Sequence, residues 1–269
     1  MPSLLSKVNT YHGWASSTLD EIYSDNRLSH ALRLEATTLD SILLLNDGEG
    51  RFEIRALPDM AQLAPVFGIA LTDIDADGVC DAVLAQNFLT PQQETGPYDG
   101  GLSLVLNGSL EGGDASSFSL DEKWPLESGV AVPGDAMSLA VGDVDENGRP
   151  DLVFGVNQSS PALFLNQENA SAGSPLAIEL QGPTGNPTAI GARVAVAIAG
   201  LPLQVAEIRA GSGYLSQSLP RLHFGWGKGE TEENRQAETA EVSIRWPDGR
   251  KSTHSLARTG GPIYKITTD

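Results

Sequence analysis

The sequence predicts a mainly β protein: a partial β-propeller of two to three blades, with short helices before it and a small β-sandwich or barrel after it. A tetrapeptide of the form Leu-x-Leu-Asn recurs at residues 43–46, 104–107 and 163–166. An acidic loop occurs twice, at residues 73–81 and 143–151, and short apolar segments flank both copies. Repeats built from several short strands in this way are typical of propeller blades.

The N-terminal segment, residues 1–37, is predicted to be helical. Thr18 and Glu21 have the spacing of a capping box, in which both side chains accept hydrogen bonds from free backbone N–H groups at the start of a helix. Turn-forming residues at 24–26 indicate a break. We therefore expect two short helices that end near residue 36.

The first acidic loop, residues 73–81, reads DIDADGVCD. Calcium binds about six to eight oxygen atoms, and a loop with Asp at its first, third and fifth positions can wrap them around the ion. The glycine at the sixth position permits a sharp turn. The seventh residue usually contributes its backbone carbonyl, and the ninth closes the site. The predicted calcium ligands are Asp73, Asp75, Asp77, Val79 and Asp81.

The second acidic loop, residues 143–151, reads DVDENGRPD and has the same spacing. An EF-hand would place Glu at the twelfth position and helices on both sides, whereas the first loop has Leu84 there and apolar, strand-like flanks. We therefore predict two strand–loop–strand calcium sites; the alternative is a pair of acidic hairpin turns without metal. The ligands predicted by position are Asp143, Asp145, Asn147, Arg149 and Asp151.

The blades are predicted to occupy residues 38–172. Each unit reads as an apolar strand, an acidic loop, a second apolar strand, a variable segment, the Leu-x-Leu-Asn strand, a glycine turn and a last strand. A polar composition near residues 167–174 indicates a domain boundary, with a small β domain at residues 173–269. The strands predicted for that domain are at residues 176–180, 192–198, 204–209, 221–224, 240–246 and 262–266.

The composition narrows the class of partner. The formal net charge is −18, which disfavours nucleic acid because phosphate binding needs clustered Lys and Arg, and favours divalent cations and basic partners. No segment has the roughly 20 apolar residues of a membrane span. The N-terminus lacks the basic and apolar regions of a signal peptide. Cys80 is the only cysteine, so an intrachain disulfide is excluded.

Two resemblances follow from these motifs. The acidic loops with their preceding apolar strands resemble the FG-GAP or VCBS repeats of integrin-type propellers. The C-terminal part resembles the ASPIC/UnbV domain found with such repeats in the cartilage acidic protein-like family, although Trp226 stands where Leu is more usual. The matching segments are IGARV at residues 190–194, GSGYLSQS at 211–218, LHFGWG at 222–227 and RWPDG at 245–249.

The resemblance, which spans about residues 40–269, implies a calcium-bearing propeller, usually of about seven blades, followed by a small β domain. This chain has room for two blades and part of a third, so we expect either the C-terminal part of a longer chain or a shortened paralogue. The family implies no catalytic residues, and therefore a non-enzymatic binding or adhesion module for a protein or glycan ligand, extracellular, periplasmic or at the cell envelope. Open blade faces predict self-association. An accessory role in an enzymatic or biosynthetic pathway and a truncated gene remnant are the alternatives.

Overall fold

A computed structural model describes residues 7–111, 115–167 and 172–268. The chain is mainly β, with 37% of residues in strands and 13% in helices, which confirms the predicted class. It divides into two compact units, Met1–Leu39 and Asp40–Asp269. Among the described residues, no helix has both the length and the apolar character needed to cross a membrane.

From residue 7 onwards, the N-terminal unit has three short helices where two were predicted: α1 (Tyr11–Ser16), α2 (Leu19–Ile22) and α3 (Asp25–Ser29). The Glu21 side chain accepts a hydrogen bond from the Thr18 N–H at 2.8 Å, as the capping-box spacing predicts. The predicted helix end near residue 36 is wrong, because α3 ends at Ser29 and Leu32 is 84% exposed. Helices of one or two turns are marginal in water, and an exposed leucine supplies no burial that would extend them.

The second unit begins with an antiparallel hairpin of β1 (Ile42–Asn46) and β2 (Phe52–Ala56). The Asn46 and Asp47 side chains accept hydrogen bonds from the N–H groups of Gly48 and Glu49, at 2.8 and 2.7 Å. These are local turn contacts, as the sequence predicts for Asx residues at this position.

A four-stranded antiparallel sheet follows, and the first acidic loop joins its first two strands. The order along the sheet is the order along the chain, as predicted for one complete unit. Its strands are β3 (Val66–Thr72), β4 (Asp81–Gln86), β5 (Leu104–Ser109) and β6 (Ser119–Lys123).

The second acidic loop lies in a three-stranded sheet of β7 (Ala136–Gly142), β8 (Asp151–Val156) and β9 (Ala162–Phe164). A short helix, α4 (Pro125–Ser128), precedes it. The predicted last strand of this unit does not occur within residues 115–167 or 172–174. Buried side chains from this sheet and the preceding one form a single hydrophobic cluster, which includes Val83, Val105, Leu139, Leu152 and Phe154. Assembly of these sheets as propeller blades stays a prediction.

Two further sheets share a second core. Their strands are β10 (Pro175–Gln181), β11 (Arg193–Ile198), β12 (Gln204–Glu207), β13 (Arg221–Gly225), β14 (Thr239–Arg245), β15 (Lys251–Ala257) and β16 (Ile263–Thr267). One sheet has the order β13-β10-β16, and the other has the order β12-β11-β14-β15. Their buried residues form one cluster that includes Trp226 and Trp246. Within the described residues both sheets are open, which agrees with a sandwich and excludes the predicted barrel alternative.

Three features of this region differ from the prediction or go beyond it. Strand β15 (Lys251–Ala257) was not predicted, because its mostly polar residues alternate only between exposed and half-buried positions at the edge of the sheet. A one-turn helix, α5 (Glu232–Arg235), occurs where the sequence shows no helical periodicity. Strand β16 pairs with β10 in parallel, which alternation along a single strand cannot reveal.

Short 3-10 turns lie at Asp59–Gln62, Ala115–Ser117 and Arg258–Gly260.

Candidate metal centres

The two acidic loops have the same backbone course. Gly78 and Gly148, at the sixth position, have φ angles of 91° and 86°, so the predicted glycine turn is confirmed. Ala76 and Glu146, at the fourth position, also adopt left-handed angles, 58° and 59°. A non-glycine residue rarely takes this conformation. Its recurrence at the same position in both loops shows a shared structure that the sequence pattern did not predict.

The first aspartate of each loop holds the turn together. Asp73 is buried, and its two carboxylate oxygens accept hydrogen bonds from the N–H groups of Asp77 and Gly78, at 3.1 and 2.8 Å. Asp143 is also buried and accepts the equivalent bonds from residues 147 and 148, at 3.0 and 2.8 Å. These contacts pull the chain around the carboxylate, so both loops close by the same means.

The last aspartate connects each loop to a neighbouring strand. One oxygen of Asp81 accepts the N–H of Ile74 in its own loop, and the other accepts the N–H of Gly108 on β5, both at 2.7 Å. Asp151 repeats the pattern, with Asn166 as its partner beyond β9 at 2.7 Å. The donor to Asp151 is the last residue of the Leu-x-Leu-Asn repeat at residues 163–166, whereas the donor to Asp81 lies one position beyond the repeat at residues 104–107.

Each loop brings three carboxylates together. One oxygen from each lies within 4.8 Å of the other two. Two oxygens bound to one calcium ion at about 2.4 Å lie at most about 4.8 Å apart. The spacing therefore fits a metal ion of this size. The two sets are Asp73, Asp75 and Asp81 in the first loop, and Asp143, Asp145 and Asp151 in the second.

The other predicted ligands have different surroundings. Asp77 lies outside the first set; one of its oxygens accepts the Val79 N–H at 2.8 Å. The Asn147 side-chain oxygen accepts the Arg149 N–H at 2.8 Å. Arg149 is buried, and its guanidinium donates to the Gly173 carbonyl at 2.8 Å, so its side chain has a structural role. The carbonyl oxygens of Val79 and Arg149 stay predicted ligands.

The first loop concentrates negative charge away from water. Burial, followed by the charge of Asp77, raises the pKa of Asp73 well above its ordinary value. Burial also raises the pKa of Asp81 to about 7, although hydrogen bonds from Gly108 and Ile74 oppose the shift. Burial and the charge of Asp75 raise the pKa of Asp77. A bound divalent cation would remove this penalty, because an opposite charge at short range favours the ionised carboxylates.

Among the described residues, each loop forms ion pairs with one basic side chain from the C-terminal region. The Lys228 ammonium lies 2.7 Å from Asp75 and 3.2 Å from Asp77. Burial lowers the pKa of Lys228, but its hydrogen bond to Asp75 and the charges of both carboxylates outweigh this effect and raise it. The Arg221 guanidinium lies 2.8 Å from Asp143. The fold therefore supplies a counter-charge to both candidate sites.

The first loop packs closely against glycines that lie in or next to the strands of the C-terminal sheets. A Cβ atom on Gly225 would lie 2.3 Å from the Ala76 carbonyl carbon and 2.5 Å from an Asp73 carboxylate oxygen. Gly227 and Gly173 donate backbone hydrogen bonds to the carbonyls of Ala76 and Asp75, at 3.1 and 2.7 Å. A side chain at Gly225 would therefore displace the loop.

His223 contacts the second loop through one of its two ring nitrogens. Its Nδ1 lies 3.2 Å from the Gly148 carbonyl, and its Nε2 is buried without a hydrogen-bond partner among the described residues. Burial lowers its pKa, which favours the neutral ring. Of the two ring nitrogens, only Nδ1 faces a carbonyl.

Comparison with known families concerns the C-terminal part of the chain. Residues 182–267 match the ASPIC and UnbV family model. This match confirms the predicted ASPIC/UnbV resemblance over about a third of the chain. No curated protein sequence matches the chain significantly. The FG-GAP/VCBS resemblance of the acidic loops stays a prediction.

The ASPIC/UnbV-matching region supplies the basic side chains that pair with the acidic loops. Arg221, Gly225 and Lys228 all lie within it, whereas both acidic loops lie outside it. The segment LHFGWG at residues 222–227, which carries part of the resemblance, is therefore the segment that packs against the first loop.

Proposed function

We propose that this chain is a non-enzymatic, calcium-stabilised β protein, in which one ion at each acidic loop holds the ASPIC/UnbV-matching region against the loop-bearing sheets. The observation that carries this proposal is the position of both carboxylate sets: each contains buried aspartates and each touches a basic side chain from that region. An ion bound to either carboxylate set would add to the contact between that loop and the ASPIC/UnbV-matching region.

The donor set favours calcium over other common metals. Each candidate centre consists of carboxylates alone, without Cys or His. Zinc prefers Cys and His ligands, and magnesium demands near-octahedral geometry and keeps several waters, whereas calcium accepts flexible loops with many oxygens. The additional ligands that we expect are the side chains of Asp77 and Asn147 and the carbonyls of Val79 and Arg149.

We propose that the ions at these centres are structural and that the chain has a role in binding or adhesion. All four carboxylate oxygens of Asp73 and Asp81 already accept backbone hydrogen bonds, which suits a structural ion and leaves little room to activate a substrate. We propose a protein or glycan ligand, a location outside the cytoplasm or at the cell envelope, and self-association. Exposed Ile69 and Leu71 on β3 support the last of these.

Calcium titration of chelator-treated protein tests the proposal. We expect isothermal titration calorimetry to report two calcium ions per chain, with Asp75→Asn removing one and Asp145→Asn removing the other. Asp248→Asn, in a turn outside both loops, is the matched control and should retain both. Magnesium at the same concentrations should bind far more weakly. Failure of the wild-type chain to bind calcium would overturn the proposal.

A further inference from the structure

A basic cavity lies beside the first acidic loop, on the side of the ASPIC/UnbV-matching region. It has a volume of ≈ 680 Å³, and Lys228, Arg235 and Arg258 line it. Glu238 is the single acid among the described residues of the lining. Two of the three cations have acidic partners, Lys228 with the first loop and Arg235 with Glu232 at 3.3 Å, whereas Arg258 has none among the described residues. Their arrangement indicates a site for a negatively charged group.

Arg258 is held in position without a carboxylate partner. Its guanidinium lies 5.7 Å from the centroid of the Trp226 ring, and Trp226 is 1% exposed and fixed in the core. A cation above an aromatic face is attracted to it but keeps its N–H donors at the edge of the guanidinium. Within the described residues, Arg258 forms no ion pair. Its donors are thus available to a ligand.

Lys228 belongs to both the cavity and the first loop. Its ammonium contacts Asp75 and Asp77, two predicted calcium ligands, while its side chain lines the cavity. Calcium at the loop would take over these carboxylates and repel the ammonium. The lysine would then be free to meet an anion in the cavity.

We propose that the cavity binds an oxyanion, a carboxylate, sulfate or phosphate group, and that calcium at the first loop strengthens this binding by releasing Lys228. Arg258 supplies the planar pair of donors that such groups accept, and Lys228 supplies the switchable charge. The coupling between calcium and oxyanion binding rests on the proposed calcium site, whereas oxyanion binding in the cavity does not. Linkage is reciprocal, so the oxyanion strengthens calcium binding by the same factor.

Titration with sulfate at constant ionic strength, set with chloride, tests the cavity. We expect Arg258→Gln to weaken sulfate binding about tenfold, as loss of a charged hydrogen bond does, and Arg258→Lys to weaken it less. Arg245→Gln, an exposed arginine outside the cavity, is the matched control and should leave the affinity unchanged. Sulfate binding that is absent, or that is insensitive to both Arg258 variants, would overturn the proposal.

A second pair of variants tests the coupling and separates it from the proposed calcium function. Calcium should tighten sulfate binding about fivefold in the wild-type chain. Lys228→Gln should weaken sulfate binding and abolish the calcium effect. Asp75→Asn with Asp77→Asn releases Lys228 without calcium, so this variant should bind sulfate more tightly in chelator. If it does so while the wild type binds no calcium, the calcium function fails and the cavity stands; unchanged affinity in this variant overturns the coupling.

Two organic anions distinguish which kind of molecule carries the oxyanion that binds in the cavity. Glucose 6-sulfate and glutarate, titrated in parallel with sulfate, separate a sulfated sugar from a carboxylate. Tighter binding of either one supports the proposal and names the source. Binding of neither above the chloride background would overturn the assignment of a ligand site.

Discussion

The first acidic loop has aspartates at its first, third, fifth and ninth positions and faces a lysine, whereas the second has asparagine at the fifth position and faces an arginine. Lys228 bridges two carboxylates that are partly exposed, with its own side chain 26% exposed. Arg221 meets a fully buried carboxylate and is itself 13% exposed. The same loop backbone therefore carries two different charge balances.

This difference shows that the negative charge of the two loops is balanced in different ways. In the second loop a guanidinium already pairs with Asp143, whose side chain is fully buried. In the first loop no basic group contacts Asp73 or Asp81 within the described residues, and burial raises the pKa of both. We therefore expect the first loop to depend more on a bound cation and the second to depend more on the protein's own arginine.

The largest effect should come from removing the two counter-charges in chelator. Breaking a buried ion pair costs about 3 kcal/mol or more because one charge is left without compensation, so Arg221→Gln should lower the free energy of unfolding by about that amount. Lys228→Gln should cost about 1 kcal/mol or less, since its partners are partly exposed. Urea denaturation in chelator and in calcium measures both.

The same denaturation experiments can contradict this prediction. Calcium should reduce the loss in Arg221→Gln, because the ion compensates Asp143. An equal loss in both buffers would mean that the second loop binds no metal. A larger loss for Lys228→Gln than for Arg221→Gln would reverse the assignment of the two loops.

The next effect compares the third position of each loop. A ligand that binds only the folded state at about 100 times its Kd stabilises it by about 2.7 kcal/mol. Asp75→Ala should remove most of that gain from the first loop, while Asp145→Ala, which alters a more exposed carboxylate, should remove less. Thermal denaturation with calcium and with chelator measures the difference. Losses that are equal in calcium and in chelator would show that Asp75 acts without metal.

The sequence predicted much of this site because its information is local. The spacing of the aspartates and Gly78 fixes the loop course, since each carboxylate oxygen accepts N–H groups from residues only a few positions away. The strands on both sides were predicted from their short apolar runs. The left-handed angle of Ala76 was not, because alanine has no intrinsic preference for it and the surrounding contacts impose it.

The contacts that neutralise the loops were beyond sequence reasoning because they are long-range. Lys228 is 153 positions from Asp75, and Arg221 is 78 positions from Asp143. No periodicity within a strand or loop relates residues this far apart. The close approach of Gly225 to Ala76 and the parallel pairing of β16 are of the same kind, since each depends on how separate sheets pack.

A smaller effect concerns pH and should distinguish the loops in the absence of metal. The pKa of Asp81 is about 7 in the folded protein, against 3.8 for an ordinary aspartate. A raised folded-state pKa contributes stability that is fully present below about pH 3.8 and is lost as pH rises through about 7. In chelator, the wild type should therefore become more stable from pH 8 to pH 5.5, and Asp81→Asn should lack this component.

The control for this pH series is Asp248→Asn. Backbone and side-chain hydrogen bonds from Arg250 lower the pKa of Asp248, so this carboxyl does not titrate in the same interval. Its variant should follow the wild-type slope. In saturating calcium the carboxylates are held ionised, and the stabilisation by calcium should shrink as pH falls. A wild-type slope identical to that of Asp81→Asn in chelator would contradict the assignment of Asp81.

The smallest expected effect lies at the exposed side of the second loop. The Gln167 amide donates to an Asp145 oxygen at 2.9 Å, where the first loop has the Lys228 ammonium on Asp75. A neutral, exposed donor should compete weakly with a cation, so Gln167→Leu should change the free energy of unfolding by less than about 0.5 kcal/mol. In the Gln167→Leu variant, the calcium affinity of the second loop should rise only slightly. Lys228→Gln should raise the affinity at the first loop much more, because it removes a full charge beside the ion. Calorimetric titration of the two variants compares these shifts directly. A larger gain in Gln167→Leu would show that hydrogen bonding, and not charge, sets the difference between the loops.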